Sequence, residues 1–388
     1  MRRAAIIVLD GLGIGTAHDT HAYGDTGSNT LGNVARVVGG LKLPQLERLG
    51  LGRCAMVDGL AKIPDPQAAF GICEPASPGK DSTTGHWEIC GVILEHPFPT
   101  YPQGFPPELI QEFERITGRG VLGNVPSSGT AILDRYGEEH CRTGRWIVYT
   151  SADSVFQVAA HESTISVAEL YQACERARNL LRGDYAVSRV IARPFVGEPG
   201  AWVRTPHRRD FSLTPPGPTL LDRLAEAGVA RAGVGKVDDL FAGRSISSVH
   251  AATNCEAYDF IQDALETLSS GLLLANVIEF DQTWGHRNDV PGFYRGLQEL
   301  DATIPRLLRK IRDQDLIIFT ADHGNDPTTA STDHSREVVP LLVLGPRVRP
   351  VDLGRRSSFA DIGQTVAEFF QVPALASGTS FLPEVWRD

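Results

Sequence analysis

The chain has few cysteines and no long apolar run, and each shortage removes a class of protein. Its six cysteines (Cys54, Cys73, Cys90, Cys141, Cys174 and Cys255) are scattered with no Cys-x-x-Cys pair. That argues against both a thiolate zinc knuckle and a disulfide framework, and reduced thiols in a cytoplasmic setting are the expectation. No segment approaches the roughly 18 consecutive apolar residues of a membrane span. The first residues, Arg2 and Arg3 followed by an apolar run, superficially resemble a leader. Asp10 cuts that run short and no cleavage pattern follows, so it reads as a first strand. An excess of positive charge is also missing: 37 Lys and Arg stand against 47 Asp and Glu, a formal net charge of −10. This argues against non-specific binding to nucleic acid or to anionic membranes. Nucleotide-binding glycine motifs are lacking as well. Gly11, Gly13 and Gly15 let backbone approach a ligand closely, but a GxGxxG fingerprint would need glycine where Thr16 stands, and no GxxxxGK[ST] occurs.

What remains is ordinary in bulk and unusual in arrangement. At 388 residues, 42% hydrophobic and 22% charged, the chain suits a soluble globular protein of two or three domains. Three apolar, strand-like runs each end in a carboxylate: Ala4 to Leu9 in Asp10, Leu272 to Phe280 in Asp281, and Leu316 to Ala321 in Asp322. Buried runs of this kind suit central parallel strands, whose carboxyl ends face the ligand in open α/β sheets. His286 follows Asp281, His323 follows Asp322, and His334 lies between Asp322 and the next apolar run, Val338 to Leu344. A single Asp at a strand end is ordinarily a turn or helix-cap residue. Capping does not call for His beside Asp, and carboxylates converging from three strands would repel one another without a cation among them. Oxygen and imidazole donors without thiolate suit Mn²⁺ or Zn²⁺, and a set this large suits two ions, as in many phosphoryl-transfer enzymes.

A second informative stretch is Gly79, Lys80, Asp81, Ser82, Thr83, Thr84, Gly85, His86, Trp87 and Glu88. A hydroxyl here, beside metal ions, could be activated as a nucleophile. The alternative is a polar turn whose Ser or Thr caps a helix starting near Gly85. Prolines crowd the edges of a middle segment, from Pro97 to Pro107 and from Pro194 to Pro218. The segment between them has its own α/β pattern: helices near 107–117 and 167–181, strands near 146–150 and 189–192. All metal-ligand candidates lie outside it. The expected organisation is therefore a discontinuous core, 1–96 and 214–388, with an inserted cap or lid at 97–213. Inside the insertion, Asp153 follows a strand end, and Arg193 and Arg204 flank a Pro/Gly-rich loop and suit phosphate oxygens. In the core, Lys236 ends a short strand and could reach the site. Pro305 should kink or divide a helix over 292–311. Alternating strands and helices predict an α/β core with a mostly parallel central sheet flanked by helices.

Taken together, Asp10 with its glycine loop, the hydroxyl loop at Ser82, Asp281 with His286, Asp322 with His323, and His334 resemble the alkaline phosphatase superfamily. The segments Lys80 to Glu88, Tyr149 to Ser154, Arg189 to Gly200 and Thr320 to Pro327 resemble its phosphopentomutase family, and the resemblance extends through the inserted segment. The resemblance implies an isomerase of nucleoside and pentose phosphate metabolism. Such an enzyme interconverts α-D-ribose 1-phosphate, or its 2-deoxy form, with the 5-phosphate through a phosphoenzyme and a bisphosphate. It implies two Mn²⁺, one held by Asp281, His286 and His334, the other by Asp10, Asp322, His323 and the nucleophile. It further implies priming by glucose 1,6-bisphosphate or ribose 1,5-bisphosphate, and pentose phosphates as the small-molecule partners. Asp153 would contact the sugar; Arg193, Arg204 and Lys236 are candidates for the distal phosphate. The family usually has threonine after the Lys-Asp pair, where this chain has Ser82. Alignment points to Ser82 as the phosphorylated residue, with Thr83 the second candidate. The rival readings are a phosphatase or phosphodiesterase on the same core, a cofactor-independent phosphoglycerate mutase, and a non-catalytic metal-binding protein.

Overall fold

The computed structural model describes residues 2–151 and 154–387 and divides into two compact units, Met1–Pro97 with Pro215–Asp388, and Phe98–Thr214. Two strands precede the inserted unit, β1 (Arg3–Leu9) and β2 (Ala69–Cys73). The inserted unit carries β3 (Val121–Pro126), β4 (Trp146–Thr150), β5 (Val155–His161), β6 (Arg189–Val196), β7 (Val203–Arg204) and β8 (Arg209–Ser212). The first unit then resumes with β9 (Arg231–Val234), β10 (Ser248–Val249), β11 (Gly271–Val277), β12 (Asp315–Thr320), β13 (Val339–Leu344) and β14 (Asp352–Arg356).

The first unit is built on one sheet in the order β10-β9-β11-β1-β12-β13-β2-β14. Every pairing is parallel except the two made by β13. Every residue of β1, β11 and β12 is buried, as their predominantly apolar sequences demand of strands covered on both faces. Each fully buried Leu, Ile or Val contributes on the order of 1.5–3 kcal/mol by leaving water. Register carries the consequence for the site. Leu9 pairs with Val277, and Val8 with Thr320, so three neighbouring strands end at one level and release their next residues at one place. At the opposite end, the buried Arg3 and Asp315 pair across β1 and β12, with Arg3 Nε donating to Asp315 Oδ1 at 3.0 Å.

The helices begin where polar caps allow. Asn29 Oδ1 accepts from Gly32 N at 3.0 Å and starts helix Thr30–Val38, while Thr219 and Asp222 form a capping box for Leu220–Glu226. Pro305 does not divide its helix: Val290–Leu308 is one element, and Phe293, Leu297, Leu300, Ile304 and Leu307 bury its apolar face. The proline falls in the last two turns, where one missing N–H is outweighed by that burial. Among the described residues no helix is long and apolar enough to cross a membrane.

The inserted unit has a mixed sheet, β3-β4-β5-β6-β7, with β8 also paired to β6. The helices Pro107–Thr117 and Val167–Leu180 pack on one apolar cluster that includes Phe113, Trp146, Phe156 and Leu170. The helix Gly129–Thr143 contributes Ile132 and Leu133 to a smaller cluster with Tyr149 and Phe195.

Candidate metal centre and nucleophile

The level strand ends bring the carboxylates together. Asp10 follows β1 directly and is fully buried; Asp322 lies two residues beyond β12, and Asp281 sits in a π-helical turn, Phe280–Trp284, just after β11. Asp281 Oδ1 stands 3.2 Å from His334 Nε2, and its Oδ2 stands 3.3 Å from His286 Nε2. Asp10 Oδ1 stands 3.3 Å from His323 Nε2, and Asp322 Oδ2 stands 3.5 Å from the same nitrogen. His334 reaches this cluster because an antiparallel bridge folds its loop back, with Ser335 N donating to Gly324 O at 2.7 Å. Its ring centroid lies 4.2 Å from that of His323 and 4.8 Å from that of His286. Ligand atoms of Asp281, His286 and His334 form one compact triple, and those of Asp10, Asp281 and His323 another, so Asp281 belongs to both.

Backbone carbonyls set the imidazole tautomers. His323 Nδ1 lies 3.0 Å from Gly324 O and His286 Nδ1 lies 2.7 Å from Thr332 O, so each Nδ1 carries a donated proton. Nε2 is thereby left to face the carboxylates, the arrangement found at metal-ligating histidines. Burial disfavours the charged form of His323, but Asp322, Asp10 and Asp281 override it and hold the imidazole well above its usual range. Burial likewise raises Asp281, yet His334 and His286 bring it well below the usual carboxylate range. At Asp10 burial and the charge of Asp281 push upward, while the His323 hydrogen bond and the Lys236 charge leave the net shift downward. Asp322 Oδ2 is buried and accepts no hydrogen bond. His86 Nδ1 stands 3.1 Å away with its proton directed to Ser82 O, so this buried carboxylate oxygen is left unsatisfied, and among oxygen and imidazole ligands that fits a divalent cation.

The hydroxyl loop enters the same place. Helix Ser82–Ile89 is capped by Asp81, whose side chain takes Thr84 N at 3.1 Å and Thr84 Oγ1 at 2.6 Å. The cap is thus Asp81, and Ser82 is freed to be the first helical residue. Ser82 Oγ lies 3.1 Å from His323 Nε2 and 3.4 Å from Asp10 Oδ1. Thr83 is buried beside it, and Thr84 is committed to the cap. Gly85 lets the helix approach this closely: a Cβ there would stand 2.2 Å from Asp322 O. Upstream, Lys80 Nζ lies 3.1 Å from Asp25 Oδ1 and 3.5 Å from Asp333 Oδ2.

Several buried residues that sequence reading left without a role hold the site. Asn325 Nδ2 donates to Asp281 Oδ1 at 2.7 Å, and Asn276 Nδ2 donates to Asp10 Oδ2 at 3.0 Å. Glu88 accepts from Ala76 N, Ser77 N, Ser358 Oγ and Phe359 N. Arg336 donates to Asp19 and to the carbonyls of Pro75, Ser77 and Gly79, fixing the chain ahead of Lys80. Lys236 is half-buried at the end of β9. In the inserted unit Arg193 is partly buried, and its Nε donates to Gln157 Oε1 at 3.1 Å. Burial first, and the neighbouring Arg208 charge second, bring Arg193 down to about 10. Arg204 is exposed on β7, and Asp153 lies outside the described residues.

Comparison with known proteins places the chain among metalloenzymes. Residues 2–374 match the model of the metalloenzyme superfamily. The chain is 56% identical to the phosphopentomutase of Dictyoglomus turgidum, over 99% of this chain and 98% of that one. It is 52% identical to the phosphopentomutase of Carboxydothermus hydrogenoformans, over 99% of this chain and 100% of that one. Among solved structures it shares the fold of the PH0037 protein from Pyrococcus horikoshii, with a TM-score of 0.51 and 16% identity over 95% of this chain and 97% of that one.

Proposed function

The chain belongs to the phosphopentomutase family of the metalloenzyme superfamily, and from that premise we propose that it interconverts α-D-ribose 1-phosphate, or 2-deoxyribose 1-phosphate, with the corresponding 5-phosphate. It is an isomerase, an intramolecular phosphotransferase, on an alkaline-phosphatase-like core. The observation that carries the reading is the position of Ser82, whose Oγ lies 3.1 Å from His323 Nε2 at the edge of the carboxylate and imidazole cluster.

Asp281, His286 and His334 would hold one divalent ion, and Asp10, Asp322, His323 and Ser82 the other, with Mn²⁺ the ion this donor set suits. Bound there, the cations would neutralise charge on phosphoryl oxygens and favour the ionised form of the hydroxyl. In the proposed cycle Ser82 begins phosphorylated. The sugar's free hydroxyl attacks phosphorus, so a sugar O–P bond forms, the Ser82 O–P bond breaks, and the hydroxyl proton leaves to solvent. The resulting bisphosphate reorients, and Ser82 attacks its other phosphoryl group, restoring the phosphoenzyme and releasing the isomer. Ser82 opens an eight-residue helix, whose N-terminal amides favour the negative charge gathered there. Lys236, whose charge already acts on Asp10, supports anion binding at the same strand ends. Arg193 and Arg204 are the proposed phosphate ligands of the inserted unit, with Asp153 on the sugar. A sugar bisphosphate such as glucose 1,6-bisphosphate would prime the dephosphorylated enzyme.

The test is incubation with ribose 5-phosphate, Mn²⁺ and a trace of glucose 1,6-bisphosphate, followed by ³¹P NMR. Ribose 1-phosphate should appear without a rise in inorganic phosphate. Inorganic phosphate as the sole product would replace the mutase by a phosphatase.

A further inference from the structure

The hydrogen bonds around Ser82 close into a ring through two residues that no step of the proposed cycle uses. His86 stands one turn after Ser82 in the same helix, and its Nδ1 lies 2.9 Å from Ser82 O. A ring nitrogen facing a carbonyl must donate, so His86 Nε2 keeps its lone pair. That lone pair faces Asn276 Nδ2 at 3.3 Å, and the other amide hydrogen of Asn276 goes to Asp10 Oδ2 at 3.0 Å. Asp10 Oδ1 accepts from Ser82 Oγ at 3.4 Å, which returns the ring to the residue where it began. Each link pairs a donor with an acceptor: Asn276 donates both to His86 Nε2 and to Asp10 Oδ2, and Asp10 accepts from both Asn276 and Ser82. His86, Asn276 and Asp10 are all fully buried.

Asn276 has no structural justification of its own. It lies in β11 among Leu272, Leu273, Leu274, Ala275 and Val277, all buried, and its Oδ1 is buried without a hydrogen bond. An apolar residue would leave nothing unpaired in that strand. Its two N–H groups, by contrast, reach Asp10 Oδ2 and His86 Nε2, and so tie the β11 side chain both to Asp10 and to the helix of Ser82. His86 Nδ1 also stands 3.1 Å from Asp322 Oδ2, so the ring touches two of the three clustered carboxylates.

We infer that His86 and Asn276 are positioning residues that fix the angle of the Ser82 hydroxyl and the rotation of Asp10. This rests on the reading of Ser82 as the phosphoryl carrier. Anchoring Ser82 O sets the first turn of its helix and hence the direction of Oγ. Anchoring Asp10 Oδ2 stops the carboxylate from turning, so that Oδ1 stays on the hydroxyl. Both side chains are fully buried and act through Ser82 and Asp10.

The experiment is a double-mutant cycle in the full-length, Mn²⁺-loaded protein, reading kcat and KM for ribose 5-phosphate alongside melting temperature. Asn276→Ala and His86→Ala should each lower kcat by about 10- to 100-fold, the usual effect of removing a partner behind a metal ligand, with KM nearly unchanged. The double variant should lose no more than the worse single one, because a ring is broken only once. His86→Asn, which can restore a donor at the Nδ1 position, should recover more of kcat than His86→Gln, which cannot. If an alanine variant does not fold, Asn276→Asp keeps the shape but presents a carboxylate to Asp10, and should lower kcat at least as far as the His86 variants. Unchanged kcat in the variants, multiplying losses in the double, or losses that only follow melting temperature would overturn the inference while wild-type mutase activity stands. A wild type that forms no ribose 1-phosphate would remove the proposed function, and this inference with it.

Discussion

Ser82 Oγ and His323 Nε2, residues 241 positions apart in sequence, meet at 3.1 Å, whereas the neighbouring Thr83 is buried and Thr84 is bound to its Asp81 cap. One hydroxyl of the three therefore faces the cluster. Ser82→Ala should abolish mutase activity, by at least about 10³-fold if the hydroxyl carries the phosphoryl group. Thr83→Ala should retain most of it, and Ser82→Thr should remain active. Phosphopeptide mapping after reaction with glucose 1,6-bisphosphate checks the site directly, and label on Thr83 would refute the assignment.

The crowding of Asp10, Asp281 and Asp322 predicts that cation binding and folding are linked. Bringing buried carboxylates together costs free energy that a cation offsets, so Mn²⁺ should raise the melting temperature of chelator-treated protein. At 100 times its dissociation constant an ion bound only by the native state adds about 2.7 kcal/mol. Asp281 serves both triples, so Asp281→Asn should reduce this thermal shift more than His286→Ala does. A melting temperature indifferent to Mn²⁺ would speak against a metal centre here.

How far the sequence disclosed this arrangement depended on whether a residue's partner was local. The strand-end carboxylates were legible because a largely apolar run followed by Asp is a local pattern, and the register of β1 with β11 and β12 then places Asp10, Asp281 and Asp322 together. Strand Trp146–Thr150 was legible because its own short apolar run is equally local. Strand Val121–Pro126 was not: Gly123 and Asn124 both have positive φ and bulge its pairing with β4, which destroys the alternation a strand would show. Helix Gly129–Thr143 opens on glycine and is largely polar, so its apolar stripe is thin. Asn276, Glu88, Arg336 and Glu337 were silent because a buried polar residue announces nothing until its distant partner is known. Arg3, which in sequence looks like part of a charged leader, is explained by partners far along the chain, Asp315 first among them.

The Arg3 and Asp315 pair gives a stability prediction independent of the active end. Both side chains are buried, and Arg3 also donates to Leu265 O and Lys310 O. Removing one partner leaves a buried charge uncompensated, so Arg3→Met should cost about 3–5 kcal/mol in denaturant unfolding. Replacing both, Arg3→Met with Asp315→Leu, should recover much of that loss. A single variant as stable as wild type would show that the pair is not holding the strand ends.

Glu337 makes stability depend on pH in the direction opposite to a salt-bridged acid. Its carboxyl is fully buried: Oε2 takes Gly15 N at 3.1 Å and Thr30 N at 2.9 Å, and Oε1 takes the hydroxyls of Thr30 and Ser335, each at 2.7 Å. Gly13 and Gly324 leave it room, since a Cβ at either would stand within 2.4 Å of a Glu337 oxygen. Burial outweighs these donors and raises the group from 4.5 to about 7. Both partners of Oε1 are hydroxyls, which can turn to accept, so the protonated acid is accommodated. A carboxyl whose folded value is raised holds its proton in the native state after the unfolded chain has released it. Its contribution is therefore complete below pH 4.5 and is lost as pH rises through about 7. A shift of that size corresponds to roughly 3 kcal/mol between the ends of the window. Glu337→Gln cannot ionise, so the difference in unfolding free energy between variant and wild type should move in the variant's favour from pH 5 to pH 8. Chemical denaturation at the two pH values measures this, and a difference that stays constant would mean that Glu337 is ionised throughout, with the four donors and not burial deciding its charge.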